Sequence, residues 1–219
     1  MRILPRSSDN DVPAIARIGY NALVNSLSVV TATSLEWKAA RRELPGVRVV
    51  EAGMALCYRE RLEPGDADDP VISCGLAGGL RADLPTGTVV IPRDVLRPDG
   101  TRLVCDPELV EALIAGARKL GMEPVTGPIV TAPTVIVGEA RGLWAEEGYA
   151  AADMETGLLE GRVAAVRVIL DTPQRELSPD WLNPATAMLK PWNWPQAVWL
   201  GREAPRCARL AARVIAGII

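Results

Sequence analysis

The sequence predicts an α/β domain with a central, largely parallel or mixed β-sheet flanked by helices. Short apolar runs rich in β-branched residues recur along the chain, and each ends at glycine, proline or a polar cluster. Segments with helical apolar spacing lie between these runs, and such alternation is typical of α/β folds. With 219 residues, 48% of them apolar and 23% charged, the chain is long enough for one sizeable core.

The first half of the chain contains four predicted strands, at residues 27–31, 47–51, 71–74 and 88–92. A helix is expected over residues 35–44, because Ser34 can cap its N-terminus and Pro45-Gly46 can stop it. The third strand is followed at once by Gly75-Leu-Ala-Gly-Gly79, which we interpret as a glycine-rich loop.

In the second half, Asp106-Pro107-Glu108 is a strong helix start, and Gly121 closes that helix. The other predicted strands are 125–131, 135–137 and 164–169, and the other predicted helices are 138–147, 156–162 and 205–218. Residues 1–26 are predicted to be an N-terminal extension with a weakly periodic accessory helix, and residues 27–219 to be one domain.

The chain contains no histidine and no phenylalanine. Catalysis by Ser-His-Asp or Cys-His arrangements is therefore excluded. Acid–base chemistry near neutral pH has to come from carboxylates, lysine, tyrosine or cysteine in environments that tune them.

The charge and the cysteine content of the chain limit the kinds of partner and site that are expected. The net charge is -3 and the basic residues are scattered, so nucleic acid is not an expected partner. The four cysteines lack metal-site or disulfide spacing, which predicts reduced thiols, with Cys74 in the core, and no metal site. No apolar run is long enough to span a bilayer, and Pro5 and Asp9 interrupt any signal peptide, so a cytoplasmic location is expected.

Three acidic residues follow predicted strands, where ligands gather in α/β sheets. Glu36 opens the helix after the first strand, Glu155 stands in Asp153-Met-Glu155, and Asp171 follows a buried apolar run. Each residue alone has an ordinary explanation as a helix-dipole partner or a cap, and the glycine-rich segment alone could be a tight turn.

The combination and order of these motifs is more specific. The segments are 31–36 (TATSLE), 71–80 (VISCGLAGGL), 86–92 (TGTVVIP), 153–155 (DME) and 166–171 (VRVILD). Together they resemble the purine nucleoside phosphorylase and nucleosidase superfamily over residues 27–217. Within it they are similar to methylthioadenosine/S-adenosylhomocysteine nucleosidases, and most of all to hopanoid-associated phosphorylases, which act as adenosylhopane nucleosidases.

The resemblance implies a three-layer nucleoside phosphorylase-like fold over 27–219, a homodimer and a small nucleoside as substrate, without a cofactor. It also implies roles for carboxylates: Asp171 protonates or hydrogen-bonds N7 of the departing purine, Glu155 accepts from the ribose hydroxyls, and Glu36 activates the attacking water. The remaining implied contacts are Met154 under the sugar, Ala77 and Gly78 as backbone near base and nucleophile, and Val135 and Ile136 around the purine.

Two departures from the family pattern bear on catalysis. Leu170 stands before the proposed acid where the nucleosidases usually have serine, which helps to orient the carboxylate. Residues Glu139-Ala-Arg141 follow Gly138 where relatives often have lysine. A nucleoside-binding protein without turnover is therefore an alternative to the enzyme.

Phosphorolysis is the second alternative. The first turn, 31–36, is acidic where phosphate would have to bind, and a carboxylate a few ångströms from phosphate is repulsive by roughly 1–4 kcal/mol. Hydrolysis is therefore favoured, although Arg81 could still contribute to a phosphate site.

The segment 179–199 contains four tryptophans and four prolines. It either packs its indoles on the core or on a dimer partner, or forms a lid over an apolar 5′ substituent or a peripheral membrane contact. The sequence does not choose between these.

Overall fold

The computed structural model describes residues 26–62 and 69–219, so nearly all of the predicted N-terminal extension lies outside the described residues. Within the described part, a nine-stranded mixed sheet carries helices on its faces, which confirms the predicted fold class. The strands are β1 (Ser28–Thr31), β2 (Arg48–Glu51), β3 (Val71–Gly79), β4 (Val89–Val90), β5 (Asp94–Leu96), β6 (Arg102–Val104), β7 (Ile129–Thr131), β8 (Ala151–Asp153) and β9 (Val163–Asp171). The helices are α1 (Ser34–Glu43), α2 (Pro107–Lys119), α3 (Glu139–Glu146), α4 (Pro184–Met188) and α5 (Trp194–Ala216).

Two long strands organise the sheet. Strands β3 and β9 run parallel from the Val71–Val163 pair to the Gly78–Asp171 pair, with a register shift between Ala77 and Gly78. Strand β3 also pairs with β1 in parallel at its start and with β8 in antiparallel at its end. The order along the sheet is β2-β1-β3-β8-β7-β5-β6, and β4 pairs with β9. The ends of β3, β8 and β9 therefore meet in the middle of the sheet.

Strand β3 is longer than predicted, since residues 75–79 continue it and do not form a loop. Glycine in the interior of a strand often marks a close approach of neighbouring groups. Such an approach exists here, because a Cβ at Gly79 would lie 2.9 Å from Cγ2 of Ile169 on β9. The glycines make room for side chains of β9 and leave the strand intact.

Other predicted elements also need correction. The predicted strand 135–137 has no regular structure, and the predicted helix 156–162 is one turn of 3₁₀ helix, because Thr156 bonds back to Asp153 and curls the chain. Thr33, and not Ser34, caps α1. Strands β5, β6 and β8 and helix α4 were missed, and the strand 125–131 shrinks to β7.

The last helix begins at Trp194, well before the predicted start near Pro205. Pro195 occupies its first turn, where a missing N–H costs nothing, and Pro205 is accommodated inside the helix. The same first-turn placement of proline opens α4 and two 3₁₀ turns of the tryptophan-rich segment.

The main core fills the space between the sheet and helices α1, α2 and α5, and includes Cys74, which is buried as predicted. A smaller cluster of Leu80, Val130 and Tyr149 supports α3. Trp144 of α3 meets the Tyr149 ring edge-on, with 5.3 Å between ring centres. Helix α3 is therefore seated on its own apolar base.

Helices α2 and α5 cross at Gly116, where an added Cβ would collide with the backbone oxygen of Val214. We expect Gly116→Ala to lower the free energy of unfolding by about 1–3 kcal/mol, because the helices must separate. Gly201→Ala is the matched control, since a Cβ there meets nothing within 4 Å, and it should raise stability by about 0.5–1 kcal/mol. Urea denaturation measures both, and equal effects would contradict the close crossing.

Candidate active site

Arg167 lies in the middle of β9 with its guanidinium wholly buried. Its Nη2 is 2.7 Å from Asp153 Oδ2 and 3.5 Å from Glu155 Oε2. The same nitrogen donates to Ser73 Oγ at 2.6 Å and to Thr156 Oγ1 at 2.9 Å. Because a buried cation is tolerated only when it is paired, these residues form one charge-compensated group, which we call the Arg167 cluster.

Asp153 anchors the Arg167 cluster to the neighbouring strands. Its Oδ1 accepts a hydrogen bond from Thr131 Oγ1 at 2.6 Å, and its Oδ2 accepts from Thr156 N at 3.1 Å and from Thr156 Oγ1. With both oxygens engaged in this way, Asp153 holds the cluster together and is poorly placed to bind a ligand.

Glu36 lies in the first turn of α1, where its carboxylate joins the helix to the sheet. Oε2 accepts from Thr33 N and from Thr33 Oγ1, both at 2.8 Å, which completes a capping box. Oε1 accepts from Leu76 N of β3 at 2.8 Å. Glu36 therefore does stabilise the start of α1, as an ordinary helix-start residue would. Its other carboxylate oxygen, Oε1, faces the sheet.

Gly75 brings Glu36 and Arg167 together. A Cβ on Gly75 would collide with the Glu36 carboxylate and would lie 2.8 Å from Arg167 Nη1. Among the described residues, Arg167 Nη1 and Nε have no hydrogen-bond partner. Unpaired donors of a buried cation beside a carboxylate are a suitable place for a water molecule or another small polar group.

Glu155 lies two residues after the end of β8 and contacts the same guanidinium. Its Oε1 accepts from Ala55 N at 3.2 Å. Burial raises the pKa of Glu155 to about 7, while the charge of Arg167 opposes that rise. Glu155 therefore changes its charge close to neutral pH.

Asp171 is the last residue of β9 and is ion-paired through Oδ2 with Nη2 of Arg141, which belongs to α3. The Arg141 side chain is only 3% exposed, and its Nη1 donates to Gly79 O at 2.6 Å. Its Nε lies 3.3 Å from Glu176 Oε1. Leu177 N is 3.4 Å from Asp171 Oδ2. A guanidinium and a backbone amide thus hold this carboxylate, in the place of the hydroxyl that Leu170 cannot supply.

A pocket of about 50 Å³ lies beside this ion pair. Its charged lining residues are Asp171, Arg141 and Asp153, and Val135, Ile136 and Leu80 contribute aliphatic surface. Arg167 pairs with Gly75 of β3 and Asp171 pairs with Gly78, so the two residues lie roughly 10 Å apart along the sheet, on either side of the register shift. The pocket and the Arg167 cluster therefore lie at neighbouring positions along β9.

The structure places seven of the eight predicted site residues in two groups. Five of them line the pocket, namely Gly78, Val135, Ile136, Met154 and Asp171. Glu36 and Glu155 lie at the Arg167 cluster, and Ala77 is buried in β3. Met154 and Glu155 are adjacent in sequence, so the two groups are continuous.

Sequence reasoning missed both arginines. Arg167 left a signal, because it is the only charged residue inside an apolar run before the terminal Asp171. Arg141 left a weaker signal, namely its position shortly after Gly138, where this sequence departs from the family pattern.

Arg81, a candidate phosphate ligand, is half-exposed and donates to Asp83. In the tryptophan-rich segment, Trp199 is buried in the core, whereas Trp192 and Trp194 are 71% and 57% exposed.

Within residues 26–62 and 69–219, no group of three or more His, Cys, Asp or Glu side chains could hold a metal ion. No helix there is long and apolar enough to cross a membrane.

The model of the phosphorylase superfamily matches residues 48–176, more than half of the chain. No protein of curated function matches the sequence. The match includes β3, β8, β9 and both groups of site residues except Glu36.

Solved structures of similar fold cover nearly the whole chain. The 5′-methylthioadenosine/S-adenosylhomocysteine nucleosidase of Helicobacter pylori aligns with a TM-score of 0.67 and 13% identity over 89% of this chain and 97% of its own. Futalosine hydrolase of the same organism gives 0.67 and 12% over 90% and 98%. The nucleosidase of Neisseria meningitidis, in complex with methylthio-immucillin-A, gives 0.64 and 20% over 88% and 97%. At these identities the likeness shows the fold.

Glu155 is expected to make stability depend on pH. Its folded pKa of about 7 exceeds the ordinary 4.5, so its contribution is complete below pH 4.5 and is lost as the pH rises through 7. Glu155→Gln cannot ionise, and its free energy of unfolding relative to wild type should increase by about 2–3 kcal/mol from pH 5 to pH 8.

Urea denaturation at the two pH values measures this difference. Glu160→Gln, which removes an exposed carboxylate paired with Arg97, is the control and should follow wild type. Parallel curves for Glu155→Gln and wild type would contradict the raised pKa.

Proposed function

Because the chain belongs to the phosphorylase superfamily, we propose that it is a nucleosidase, which cleaves the N-glycosidic bond of a purine nucleoside by attack of water. One observation carries the proposal: the site has two neighbouring parts along β9. Glu36 and Glu155 lie beside Arg167 in the first part, and Asp171 lies in a pocket in the second. A nucleoside also has two parts, a sugar and a base, which could occupy them.

The sugar is proposed to lie at the Arg167 cluster. A carboxylate accepts hydrogen bonds from hydroxyl groups, and Glu155 would accept them from the ribose while Met154, at the pocket edge, packs under the ring. Positive charge develops on the sugar in an oxocarbenium-like transition state, so nearby carboxylates stabilise that state more than the ground state.

The water is proposed to bind next to Gly75. There Glu36 Oε1 could take its proton, and the unpaired Nη1 of Arg167 could orient its oxygen. The water oxygen forms a bond to C1′ as the C1′–N9 bond breaks, and the electron pair of that bond leaves with the purine.

The base is proposed to occupy the pocket, which must widen from about 50 Å³ to admit it. Val135 and Ile136 would pack on the purine faces in place of aromatic rings. Asp171 and Arg141 line that pocket, and they would neutralise N7 of the departing purine.

Water is a better nucleophile for this site than phosphate. The carboxyl groups of Glu36, Asp153 and Glu155 surround a single guanidinium, so the cluster has no surplus positive charge for an anion when they are ionised. Arg81 is already paired with Asp83.

The finer substrate assignment rests on the sequence resemblance. It implies adenine as the released base and adenosylhopane, in hopanoid biosynthesis, as a candidate substrate. The homodimer and the cytoplasmic location remain predictions of the same kind.

The experiment is base release from adenosine, inosine and 5′-methylthioadenosine, followed by chromatography with and without phosphate. We expect free purine and free sugar in both conditions. Formation of sugar phosphate that requires added phosphate would establish the phosphorylase alternative. Ligand-induced thermal stabilisation without any base release would establish the binding protein.

Two isosteric variants test the assigned carboxylates. Glu36→Gln and Glu155→Gln should each lower kcat at least about 100-fold, since they remove a base and a transition-state contact. Asp83→Asn, away from the site, should leave kcat unchanged. For wild type, kcat/KM should rise with pH to a plateau above about 7, where Glu155 is ionised. Unchanged kcat in both glutamine variants would refute the assignment.

A further inference from the structure

Apart from Asp153, whose oxygens are engaged in the Arg167 cluster, the charged lining of the pocket is the Asp171–Arg141 pair and not a single carboxyl group. Asp171 Oδ2 receives Arg141 Nη2 and lies 3.4 Å from Leu177 N. Asp171 Oδ1 points toward Gly78, since a Cβ on that glycine would lie 3.3 Å from it. Arg141 Nη2 would be 3.6 Å from the same Cβ. Both members of the pair therefore reach the pocket wall that Gly78 forms.

The two members offer different chemistry to a purine. In an ion pair Asp171 is a carboxylate, which accepts hydrogen bonds and has no proton to give. Arg141 uses one N–H of Nη1 on Gly79 O and one N–H of Nη2 on Asp171. Because each Nη carries two hydrogens, one on each nitrogen is left, and Nε has no hydrogen-bond partner among the described residues.

The pair is also built to stay together. Arg141 is 3% and Asp171 10% exposed, and removing either charge would leave the other buried and uncompensated. Glu176 Oε1 lies 3.3 Å from Arg141 Nε and accepts from Gly138 N at 2.7 Å. The guanidinium is therefore fixed by the end of β9, by the end of β3 and by Glu176 in the segment after β9.

We infer that Arg141 is a catalytic residue of the proposed reaction: its guanidinium donates to N7 of the departing purine and balances the negative charge there. Asp171 stays ionised, holds Arg141 in place and can accept from an amino group at C6 through Oδ1. The inference rests on the proposed nucleosidase function, and it replaces a proton on Asp171 by a fixed positive charge. Charge-assisted donors of this kind are among the strongest stabilisers of a developing anion.

The atoms balance without a proton from Asp171. Water gives its oxygen to C1′ and one proton to Glu36, and the C1′–N9 electron pair stays on the purine. Arg141 holds the purine anion through its N–H groups without losing a proton. The anion takes a proton from solvent on release, and Glu36 returns its proton to solvent.

The relative effects of two variants show whether the departing purine is neutralised by the guanidinium of Arg141 or by a proton from Asp171. The probe is whichever of adenosine, inosine and 5′-methylthioadenosine the wild type cleaves fastest. If Arg141 supplies the charge, Arg141→Met should lower kcat about 100- to 1,000-fold. Asp171→Asn should lower it only about 10-fold, because the amide oxygen still accepts from Arg141. If Asp171 donates a proton, Asp171→Asn should be the more damaging change and Arg141→Met should be close to wild type or faster, which would overturn the inference.

A second substrate separates catalysis from a general loss of structure. 4-Nitrophenyl riboside has a good leaving group that needs no contact at N7, so Arg141→Met should reduce its cleavage far less than cleavage of the nucleoside. Equal losses on both substrates would mean a structural role and would overturn the inference. Arg141→Lys keeps the charge and serves if the methionine variant does not fold; it should recover part of the nucleoside activity, and recovery of none would count against the inference.

A failure of the proposed function can be distinguished from a failure of the present inference. If wild type releases no base from any nucleoside, the nucleosidase proposal falls and the role of Arg141 falls with it. If wild type releases base, and Glu36→Gln and Glu155→Gln abolish the release while Arg141→Met does not, only the present inference is wrong.

Discussion

The buried guanidinium of Arg167 is the constraint around which the centre of the sheet is arranged. Strand β9 is buried along its whole length, and a cation in its middle would cost several kcal/mol without compensation. Asp153 and Glu155 supply the opposite charge, and Ser73 and Thr156 supply hydrogen-bond acceptors. Replacing one partner would therefore affect the others, since each satisfies a group that has no access to bulk water.

The glycines of β3 follow from the same constraint. Gly75 leaves space for the Glu36 carboxylate and Arg167, and Gly79 leaves space for Ile169. Side chains at either position would push β3 away from β9 or from α1. Gly78 in turn keeps the wall of the pocket thin beside Asp171. Small residues in this strand thus serve packing and ligand access together.

Local signals in the sequence predicted much of the fold. The helix after Asp106 begins where its cap and Pro107 indicate, and the β-branched runs at 28–31, 48–51 and 163–171 are strands. The segment 75–79 was misread because a strand rich in glycine has no local strand signal, and its reason lies in β9 and α1. Trp194 was missed as a helix start because proline at the first turn and proline as a breaker look alike in sequence.

For the candidate site, position along the chain predicted which carboxylates lie at strand ends, but not their partners. Arg141 meets Asp171 only because α3 packs back over the end of β9, a contact between residues that are distant in sequence. The same holds for Glu36 and Arg167, which meet through the register of β1, β3 and β9. Burial raises the pKa of Glu155, and burial is a property of the folded chain.

The two charged groups of β9 differ in a way that suits the proposed reaction. At the Arg167 cluster the carboxyl groups of Asp153, Glu155 and Glu36 face one guanidinium, so negative charge prevails when they are ionised. Roughly 10 Å along the strand, Arg141 brings unused donors to the pocket. When a glycosidic bond breaks, the sugar becomes positive and the base negative. If a nucleoside lies along β9 with its sugar at the Arg167 cluster, the electrostatic field of the site would be oriented to stabilise this charge separation. The charged groups that produce the field are fixed by folding, so they need not reorganise during the reaction.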